Sequence, residues 1–479
     1  PEDFEYRHEA FDMYLASGYT LSPTSFIRQV DKLQAGTALI FSVGSSPRIK
    51  RYENYAVPPA AAVSHGDVVA EMANRFPEAL ERRTPTSGRA GLLLSSGVDS
   101  KTILGALSQN WSCDLVAYTF EYKGYAGHLN EADDARRCAE YFGVPHHSVQ
   151  VDPGVIPDRV YDHIARFSDP VSYGLHTLVM DEVRSDGITD VFCGTGADGA
   201  WYLGSQQVGA LEWSKRSPFV RRSVEASVLL AQAALEYMHE KGVAKSRRYV
   251  PLHPTVWSAR TRLPRLVTAL IAPSHVRRTL FSDPALPKRA EDARWSTLTQ
   301  ALHDNCSLPS HQRFRVLQTM FYGADMMQNW NYWSARAHGL NIHAPYYDRQ
   351  VLDFIWGQEL LSQNKDELRS YAATMMPEEM ARRGKLAQSV PIGEWLKGPL
   401  KQWVLDELSS HQSVDGGLFD RNAIQSMIEE LRSNAPLPYS TAWTIWGVVM
   451  ILIWMRTFTP IRGRRKLSES RQSVLIEAG

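Results

Sequence analysis

A run of hydroxyl, glycine and carboxylate residues occupies positions 95–100, with the sequence Ser-Ser-Gly-Val-Asp-Ser. Gly97 allows the backbone to approach a ligand closely or to adopt a positive φ. The three serines add hydroxyl donors to the free amides of a helix N-terminus, where the helix dipole favours anions. Asp99 would repel a bare phosphate, so we expect a Mg²⁺ ion to bridge this carboxylate to a pyrophosphate. The run therefore predicts a pyrophosphate-binding loop.

A serine-rich turn that caps a helix would have the same composition, and the run alone leaves both interpretations open. It lacks the longer glycine and lysine pattern of a Walker A loop. A loop this short favours holding a leaving pyrophosphate over transferring a γ-phosphate.

Short apolar segments alternate with helical patterns from Arg89 onward. Strands are predicted at 90–94, 115–120, 147–151 and 190–193. Helices are predicted at 101–107, 131–142, 155–167 and 175–183. This alternation predicts an α/β fold with a doubly wound parallel sheet, in which ligands bind at the carboxyl ends of the strands. The run at 95–100 directly follows the first strand, and this placement favours the ligand-binding interpretation.

The rest of the chain divides into a small module before the sheet and a largely helical half after it. Residues 1–58 contain a predicted helix at 11–19 and strands at 36–41 and 49–52, followed by a linker. The main domain is placed at 59–466, with helix 67–82, a sheet core at 88–205 and a helical part at 206–466. Residues 467–479 are expected to form a loose tail.

Composition excludes some classes of partner and location. Lysine plus arginine and aspartate plus glutamate both number 52, so no net charge attracts nucleic acid or an anionic membrane. Scattered cysteines without zinc or disulfide spacing indicate free thiols in a reducing cytoplasm. They are Cys113, Cys138, Cys193 and Cys306. The apolar segment 442–458 is near the lower length limit for a membrane span, and we predict a buried core helix and no membrane.

Further motifs follow the loop in the order found in one family. They are Asn130-Glu131 to His147, CGTGADG at 193–199, APYYD at 344–348, KDELR at 365–369, RGK at 383–385 and PIGEWLKGPL at 391–400. Together the loop and these motifs resemble the asparagine synthetase family, which includes β-lactam synthetases and lasso-peptide cyclases. The module at 1–58 resembles the last piece of the family's N-terminal glutaminase domain.

The resemblance implies a site for ATP and Mg²⁺. It implies that Asp99 and Asp198 coordinate Mg²⁺ on the ATP phosphates. The residues implied in nucleotide binding are Leu94, Ser95, Ser96, Gly97, Asp99, Ser100, Thr119, Gly194 and Gly196. Lys365 would contact the phosphates, and Lys385 would stabilise charge that develops at the carbonyl and the α-phosphate.

Three departures from the family concern the acceptor. Thr195 replaces a glutamate beside the reacting acyl group and cannot serve as a carboxylate base. Gly199 replaces a second glutamate, and Cys193 replaces a serine that helps to hold the substrate. Position 1 is proline where the family glutaminase has its nucleophilic cysteine, so we expect no glutamine hydrolysis by this chain as given. Since it also lacks an initiator methionine, it is expected to begin inside a longer gene product.

These observations predict an ATP-dependent ligase that adenylates a small-molecule or peptide carboxylate and forms an amide. The nitrogen donor is left open among free ammonia, a separate glutaminase or a missing upstream domain, and an amine. An intramolecular cyclase and a non-catalytic ATP-binding scaffold are the alternatives. Whether the chain forms a homodimer is left open. Residues 205–320 contain no motif that indicates a chemical role. Adjacent His146 and His147 are interpreted as structural, because neighbouring side chains on a strand face opposite ways.

Overall fold

A computed structural model describes most of the chain. The described residues are 5–53, 64–85, 87–111, 114–123, 131–167, 169–170, 175–201, 277, 279–305, 307–308, 310–358, 365–384 and 390–458. Lys385, the linker that follows residue 58 and the tail at 467–479 lie outside these ranges. The predictions made for them therefore remain predictions.

The centre of the main domain is a five-stranded parallel sheet. Its strands are β3 (Arg89–Leu93), β4 (Asp114–Tyr122), β5 (His146–Val151), β6 (Asp190–Phe192) and β7 (Asn341–His343). The strand order is β5-β4-β3-β6-β7, so β3 lies in the middle and chain order reverses beside it. Every neighbouring pair in this sheet is parallel. The predicted α/β fold is confirmed.

The strand β7 was absent from the sequence-based prediction. It has only three residues, Asn-Ile-His, and lies far beyond the other strands in the chain. Three residues with one apolar member show neither alternation nor an apolar run, so the signal that identifies strands is missing. Pairing of Ile342 with Val191 is what fixes it at the sheet edge.

Helices surround the sheet. In the first half they are α1 (His8–Ser17), α2 (His65–Glu81), α3 (Val98–Asn110), α4 (Glu131–Tyr141), α5 (Ile156–Phe167), α6 (Met180–Ser185) and α7 (Ala197–Trp201). In the second half they are α8 (Leu286–Asp304), α9 (Ser310–Leu317), α10 (Asn329–Ala337), α11 (Arg349–Gly357), α12 (Asp366–Ala373), α13 (Glu378–Arg382), α14 (Ile392–Lys397), α15 (Lys401–Ser409), α16 (Arg421–Arg432) and α17 (Tyr439–Phe458). A π-helix, Gln318–Gln328, connects α9 to α10. Short 3₁₀ segments are Pro153–Val155, Leu175–Val179, Pro345–Tyr347 and His411–Ser413.

The sheet separates two apolar cores, because alternate side chains of a strand face opposite sides. From β4, Val116 and Tyr118 enter one core, which also holds residues of α5 and α17. Leu115 and Ala117 enter the other, which holds residues of α2, α3, α4 and α12. Both faces are thus covered by helices, as expected for a doubly wound sheet.

Helix α17 is the one helix in the described part of the chain that is long and apolar enough to cross a membrane. Every residue from 442 to 455 is buried, including Trp443, Trp446 and Trp454. The helix packs against α1, α5, α14 and α15. Its apolar character on all sides is explained by this enclosure, so the prediction of a buried core helix is confirmed.

The N-terminal module contains α1 and an antiparallel hairpin, formed by β1 (Thr37–Ile40) and β2 (Arg48–Arg51). Both predicted strands are confirmed. Helix α1 ends at Gly18, whose φ of 86° is readily adopted only by glycine, and packs on α8 and α17. Its relation to a glutaminase domain stays a prediction.

Candidate active site

The predicted pyrophosphate loop lies at the carboxyl end of the central strand. Strand β3 ends at Leu93, and α3 begins at Val98. The backbone N–H of Leu94 donates to the Tyr118 carbonyl at 2.8 Å, which continues the sheet by one residue. Gly97 is the N-cap of α3 in an extended conformation. Since α3 begins three residues before the predicted start, Asp99 and Ser100 are in its first turn.

Hydrogen bonds between serines fix the shape of this loop. The Ser95 backbone N–H donates to Ser100 Oγ at 3.0 Å, and the two hydroxyl oxygens are 3.1 Å apart. The Gly97 N–H donates to Ser95 Oγ at 3.2 Å. Ser96 differs, because its fully buried hydroxyl donates to Glu131 Oε1 at 3.0 Å. The hydroxyl of Ser96 therefore anchors the loop to α4, and its predicted role in holding pyrophosphate stays a prediction.

A second glycine-rich loop, residues 193–199, packs directly on the first. A Cβ atom on Gly194 would lie 3.1 Å from Asp99 Cβ and 3.2 Å from the Ser100 nitrogen. Gly196 has a φ of 100°, and a Cβ there would lie 2.9 Å from the Tyr347 ring. A side chain at position 194 would push against the first loop, and at position 196 both the positive φ and the Tyr347 ring favour glycine.

Lys365 joins the acidic residues of the two loops. Its Nζ lies 2.7 Å from Asp99 Oδ1 and 2.6 Å from Asp198 Oδ1. Burial lowers the pKa of Lys365, but the charges and hydrogen bonds of Asp99 and Asp198 outweigh this effect and raise the pKa above its ordinary value. The lysine is therefore charged at neutral pH.

Lys365 also has an unusual backbone. Among the described residues it is the only non-glycine with a positive φ, 56°, and it is the N-cap of α12. Such a conformation costs on the order of 1–3 kcal/mol and persists where the surroundings enforce it. Its ion pairs with the two aspartates supply that constraint.

The donor set fits the Mg²⁺ ion that the family implies. Magnesium usually binds one or two protein carboxylates and completes its shell with phosphate oxygens and water. Asp99 and Asp198 supply two carboxylates that already share one cation. No cluster of three or more His, Cys, Asp or Glu residues suited to a metal occurs within the described ranges, so phosphate oxygens would have to complete the shell.

The acceptor residues are neutral. Asn331 Nδ2 donates to Thr195 Oγ1 at 2.8 Å, which links the second loop to α10. Burial raises the pKa of the Cys193 thiol, although hydrogen bonds from Thr195 counteract the rise. The thiol is therefore protonated at neutral pH. Thr195 is thus held between Asn331 and Cys193.

Leu94 and Thr119, which the resemblance implies in nucleotide binding, are packed against each other. Thr119 Oγ1 donates to the Leu94 carbonyl at 2.8 Å and lies 2.9 Å from His146 Nε2. Leu94 and Thr119 are buried, whereas His146 is partly buried. His147 Nδ1 lies 3.1 Å from Asp186 Oδ2. The structural interpretation of the two histidines agrees with these contacts.

A buried ion network beside the loop was missed in the sequence. Lys101 is fully buried, and its Nζ lies 2.5 Å from Asp134 Oδ2. Arg383 Nη1 lies 3.1 Å from Asp134 Oδ1. The sequence predicts a helix at 131–142, and a carboxylate on its inward face gives no separate signal. The network ties α3 and α4 to the segment that precedes Lys385.

Comparison with known proteins places this site in a family. Residues 71–456 match the profile of the asparagine synthase family. The chain belongs to the asparagine synthase family. The matched span includes both loops and Lys365, and it makes the chain an ATP-dependent ligase in general. The resemblance inferred from the motifs is confirmed.

Individual relatives are distant. The chain is similar to glutamine-hydrolyzing asparagine synthetase 1 of Bacillus subtilis (strain 168), with 22% identity over 474 residues, 94% of this chain and 69% of that protein. It is also similar to the amidase chyE of Penicillium rubens, with 24% identity over 199 residues, 38% of this chain and 30% of that protein.

Solved structures overlap weakly with the chain. An NH₃-dependent NAD synthetase from Campylobacter jejuni has a TM-score of 0.20 and 14% identity, and the match covers 29% of this chain and 59% of that one. An NMN synthetase from Francisella tularensis has a TM-score of 0.23 and 11% identity, and the match covers 55% of this chain and 97% of that one. The fold assignment rests on the parallel sheet described above.

Proposed function

We propose that this member of the asparagine synthase family activates a carboxylate as an acyl-adenylate and transfers it to a nitrogen nucleophile. The observation that supports the proposal most directly is the pair Asp99 and Asp198, held by Lys365 at the carboxyl end of the central strand. Two carboxylates and one cation beside a helix N-terminus form a site that suits Mg²⁺ and a polyphosphate. We place the reaction in the cytoplasm.

The first step breaks one bond of ATP. A carboxylate oxygen of the substrate attacks the α-phosphorus, the bond from that phosphorus to the bridging oxygen breaks, and pyrophosphate leaves. Asp99 and Asp198 would hold Mg²⁺, which neutralises phosphate charge when bound. The N–H groups at the start of α3 and Lys365 would hold the departing pyrophosphate, and Lys385 would stabilise charge at the α-phosphate.

The second step forms the amide. A nitrogen lone pair attacks the acyl carbon, the bond from that carbon to the AMP oxygen breaks, AMP leaves, and the nitrogen loses a proton to solvent water. By resemblance to the family, Thr195 would lie beside the reacting acyl group. Its hydroxyl can orient a polar group there but cannot act as a carboxylate base. The neutral residues around Thr195 favour a substrate other than, or in addition to, aspartate.

A second candidate is an intramolecular cyclase, in which an amine of the substrate displaces AMP. The observation that favours it is the neutral contact of Thr195 with Asn331, where the family has a glutamate. Such a reaction needs no ammonia.

The test is ATP–pyrophosphate exchange over a panel of carboxylic acids and carboxylate-bearing peptides. Exchange that depends on one acid or peptide is expected. Absence of exchange with every member would contradict adenylation and favour a scaffold. Lys385→Ala should lower the exchange rate by roughly 10²–10³, the usual loss for one preorganised charge contact. Lys401→Ala, which removes a lysine of α15, is the control and should leave the rate unchanged.

The nitrogen donor is identified in a separate experiment. Once an acid supports exchange, amide formation is measured with and without ammonium. Product that requires ammonium favours the amidotransferase, whereas product with the mass of a dehydrated substrate and no ammonium favours the cyclase. Addition of a separate glutaminase with glutamine tests a partner as the source of ammonia.

A further inference from the structure

A cavity of about 80 Å³, which shares no lining residue with the candidate active site, lies between α5, the 3₁₀ segment Leu175–Val179 and the end of α10. It is lined by Arg159, Asp162, His163, Arg166 and His338, with Leu178 and Ala337. A water molecule needs roughly 10–15 Å³ of such space, so the cavity can hold several waters or one small polar group.

His163 supplies a buried polar atom without a partner. Its side chain is only 3% exposed, and its Nε2 lies 3.3 Å from the Ser334 hydroxyl. Within the described part of the chain, His163 Nδ1 has no hydrogen-bond partner. A buried polar group left in this state costs roughly 1–3 kcal/mol, which favours a ligand or ordered water at that atom.

The chemistry of His163 Nδ1 is that of a donor. Burial, together with the charges of His338 and Arg166, lowers the pKa of His163 to about 4, so the ring is neutral at pH 7. A neutral imidazole has one N–H and one acceptor nitrogen. When Nε2 accepts from the Ser334 hydroxyl, the proton is on Nδ1, which then needs an acceptor.

The arginines add further donors. Arg166 Nη1 donates to the Ala337 carbonyl at 3.0 Å, and Arg166 forms no ion pair within the described residues. Its remaining N–H groups are therefore available at the exposed side of the cavity. Arg159 pairs with Asp181 at 2.9 Å. Asp162 is the one carboxylate that lines the cavity, and it is exposed, so donors outnumber acceptors.

We propose that this cavity binds one oxyanion group, a carboxylate or a phosphate, through Arg166, Arg159 and the Nδ1–H of His163. A planar guanidinium matches the two oxygens of either group, and one such group is compatible with the volume. The site is separate from the loop at 95–100. It lies close to the acceptor residues along the chain, because Ser334 follows Asn331 by one turn of α10.

The experiment follows the histidine ring signals of the full-length, ¹⁵N-labelled protein during titration with inorganic phosphate and, separately, with acetate. The ring signals of His163 and His338 are assigned by comparison with His163→Gln and His338→Gln. We expect saturable shifts of both with at least one anion at neutral pH. Phosphate bound at the loop of residues 95–100 does not confuse the result, since only the signals of His163 and His338 are followed.

A matched pair of variants distinguishes the loss of a contact in the cavity from the general effect of removing one positive charge. Arg166→Gln should weaken binding at least tenfold, because a hydrogen bond to a charged group contributes roughly 1.5–3 kcal/mol. Arg184→Gln is the control: Arg184 is also exposed and donates to a carbonyl, that of Gly339, at 3.0 Å, but it does not line the cavity.

The outcomes are distinct. Saturation by phosphate alone identifies a phosphate site, saturation by acetate alone identifies a carboxylate site, and saturation by both identifies their shared chemistry. Linear shifts without saturation in the unaltered protein would overturn the proposal. Equal weakening in Arg166→Gln and Arg184→Gln would also overturn it. None of these results depends on exchange activity.

Discussion

The nucleotide side and the acceptor side of the candidate site are built from different interactions. On the nucleotide side, Lys365 lies between Asp99 and Asp198, with a second network around Lys101. On the acceptor side, a neutral amide donates to a neutral hydroxyl, Asn331 to Thr195, beside a buried protonated thiol. The two sides meet where Gly194 packs on Asp99.

In the proposed reaction, this difference gives each side a separate part. Charged oxygens of a metal–phosphate group are stabilised by fixed opposite charges, and those contacts hold for any substrate acid. Recognition of a particular acid depends on shape and on a few neutral hydrogen bonds. The charged residues that this chain shares with the family therefore lie on the nucleotide side, and the residues in which it departs from the family lie on the acceptor side.

The largest expected effect is on the nucleotide side. Asp99→Ala should lower the exchange rate by roughly 10²–10³, because it removes one preorganised contact of the metal–phosphate group. Asp114→Ala is the matched control, since Asp114 forms an exposed pair with Arg89 at the opposite end of the sheet. Near-normal exchange in Asp99→Ala would remove the basis for the comparison.

The second effect concerns how much the buried Lys101 network on the nucleotide side contributes to the free energy of unfolding. Lys101→Met should lower the free energy of unfolding by about 3 kcal/mol, because breaking a buried ion pair leaves a carboxylate with too few partners. Urea denaturation measures it. The double variant Lys101→Met with Asp134→Leu should recover part of the loss. Arg136→Met, which disrupts the exposed contact with Glu140, should change stability by less than about 1 kcal/mol. A loss equally small for Lys101→Met would refute the role of the network.

The third effect concerns the ionisation of a buried carboxylate. Asp325 lies in the π-helix, and its Oδ2 accepts the Ser22 backbone N–H at 2.7 Å. Burial raises the pKa of Asp325 from 3.8 to about 7, although nearby Lys32 opposes the rise. The folded protein therefore binds more protons than the unfolded chain between these values. The stability contributed by the neutral form is complete below pH 3.8 and is lost as pH rises to about 7.

Asp325→Asn removes that titration and keeps an oxygen for the Ser22 N–H. The variant should be more stable than the parent by about 4 kcal/mol well above pH 7, because the pKa shift spans about 3 units, and the difference should vanish near pH 4. Urea denaturation across this pH range measures the change. A parent stability that does not fall relative to the variant would show that the carboxylate is not buried as described.

The smallest expected effect is on the acceptor side. Asn331→Ala removes one neutral hydrogen bond to Thr195, worth roughly 0.5–1.5 kcal/mol, so KM for the acid should rise about tenfold at most. KM for ATP should stay unchanged, because the ionic contacts remain. Equal changes in both constants would show that the two sides are not separable.

The residues of the nucleotide side could be selected from the sequence because they lie in short motifs. The loop at 95–100 and Asp198 were located from residue types and order, and the structure brings them together with Lys365. The contact of Ser96 with Glu131 was not predicted, because the two residues are 35 positions apart. Lys101 and Asp134 were missed because a charged pair on inward faces follows no local pattern. The three-residue β7 was too short to detect.

The sequence by itself determined the α/β architecture, the buried helix predicted at 442–458 and the family, since apolar periodicity and ordered motifs are local properties. Only the tertiary structure decided that Lys365 lies between Asp99 and Asp198, that Asn331 holds Thr195, and that His163 lines a cavity while its Nδ1 has no partner among the described residues. Each of these joins residues more than a hundred positions apart or depends on what surrounds a side chain. Such relations arise from packing, and no spacing within the chain encodes them locally.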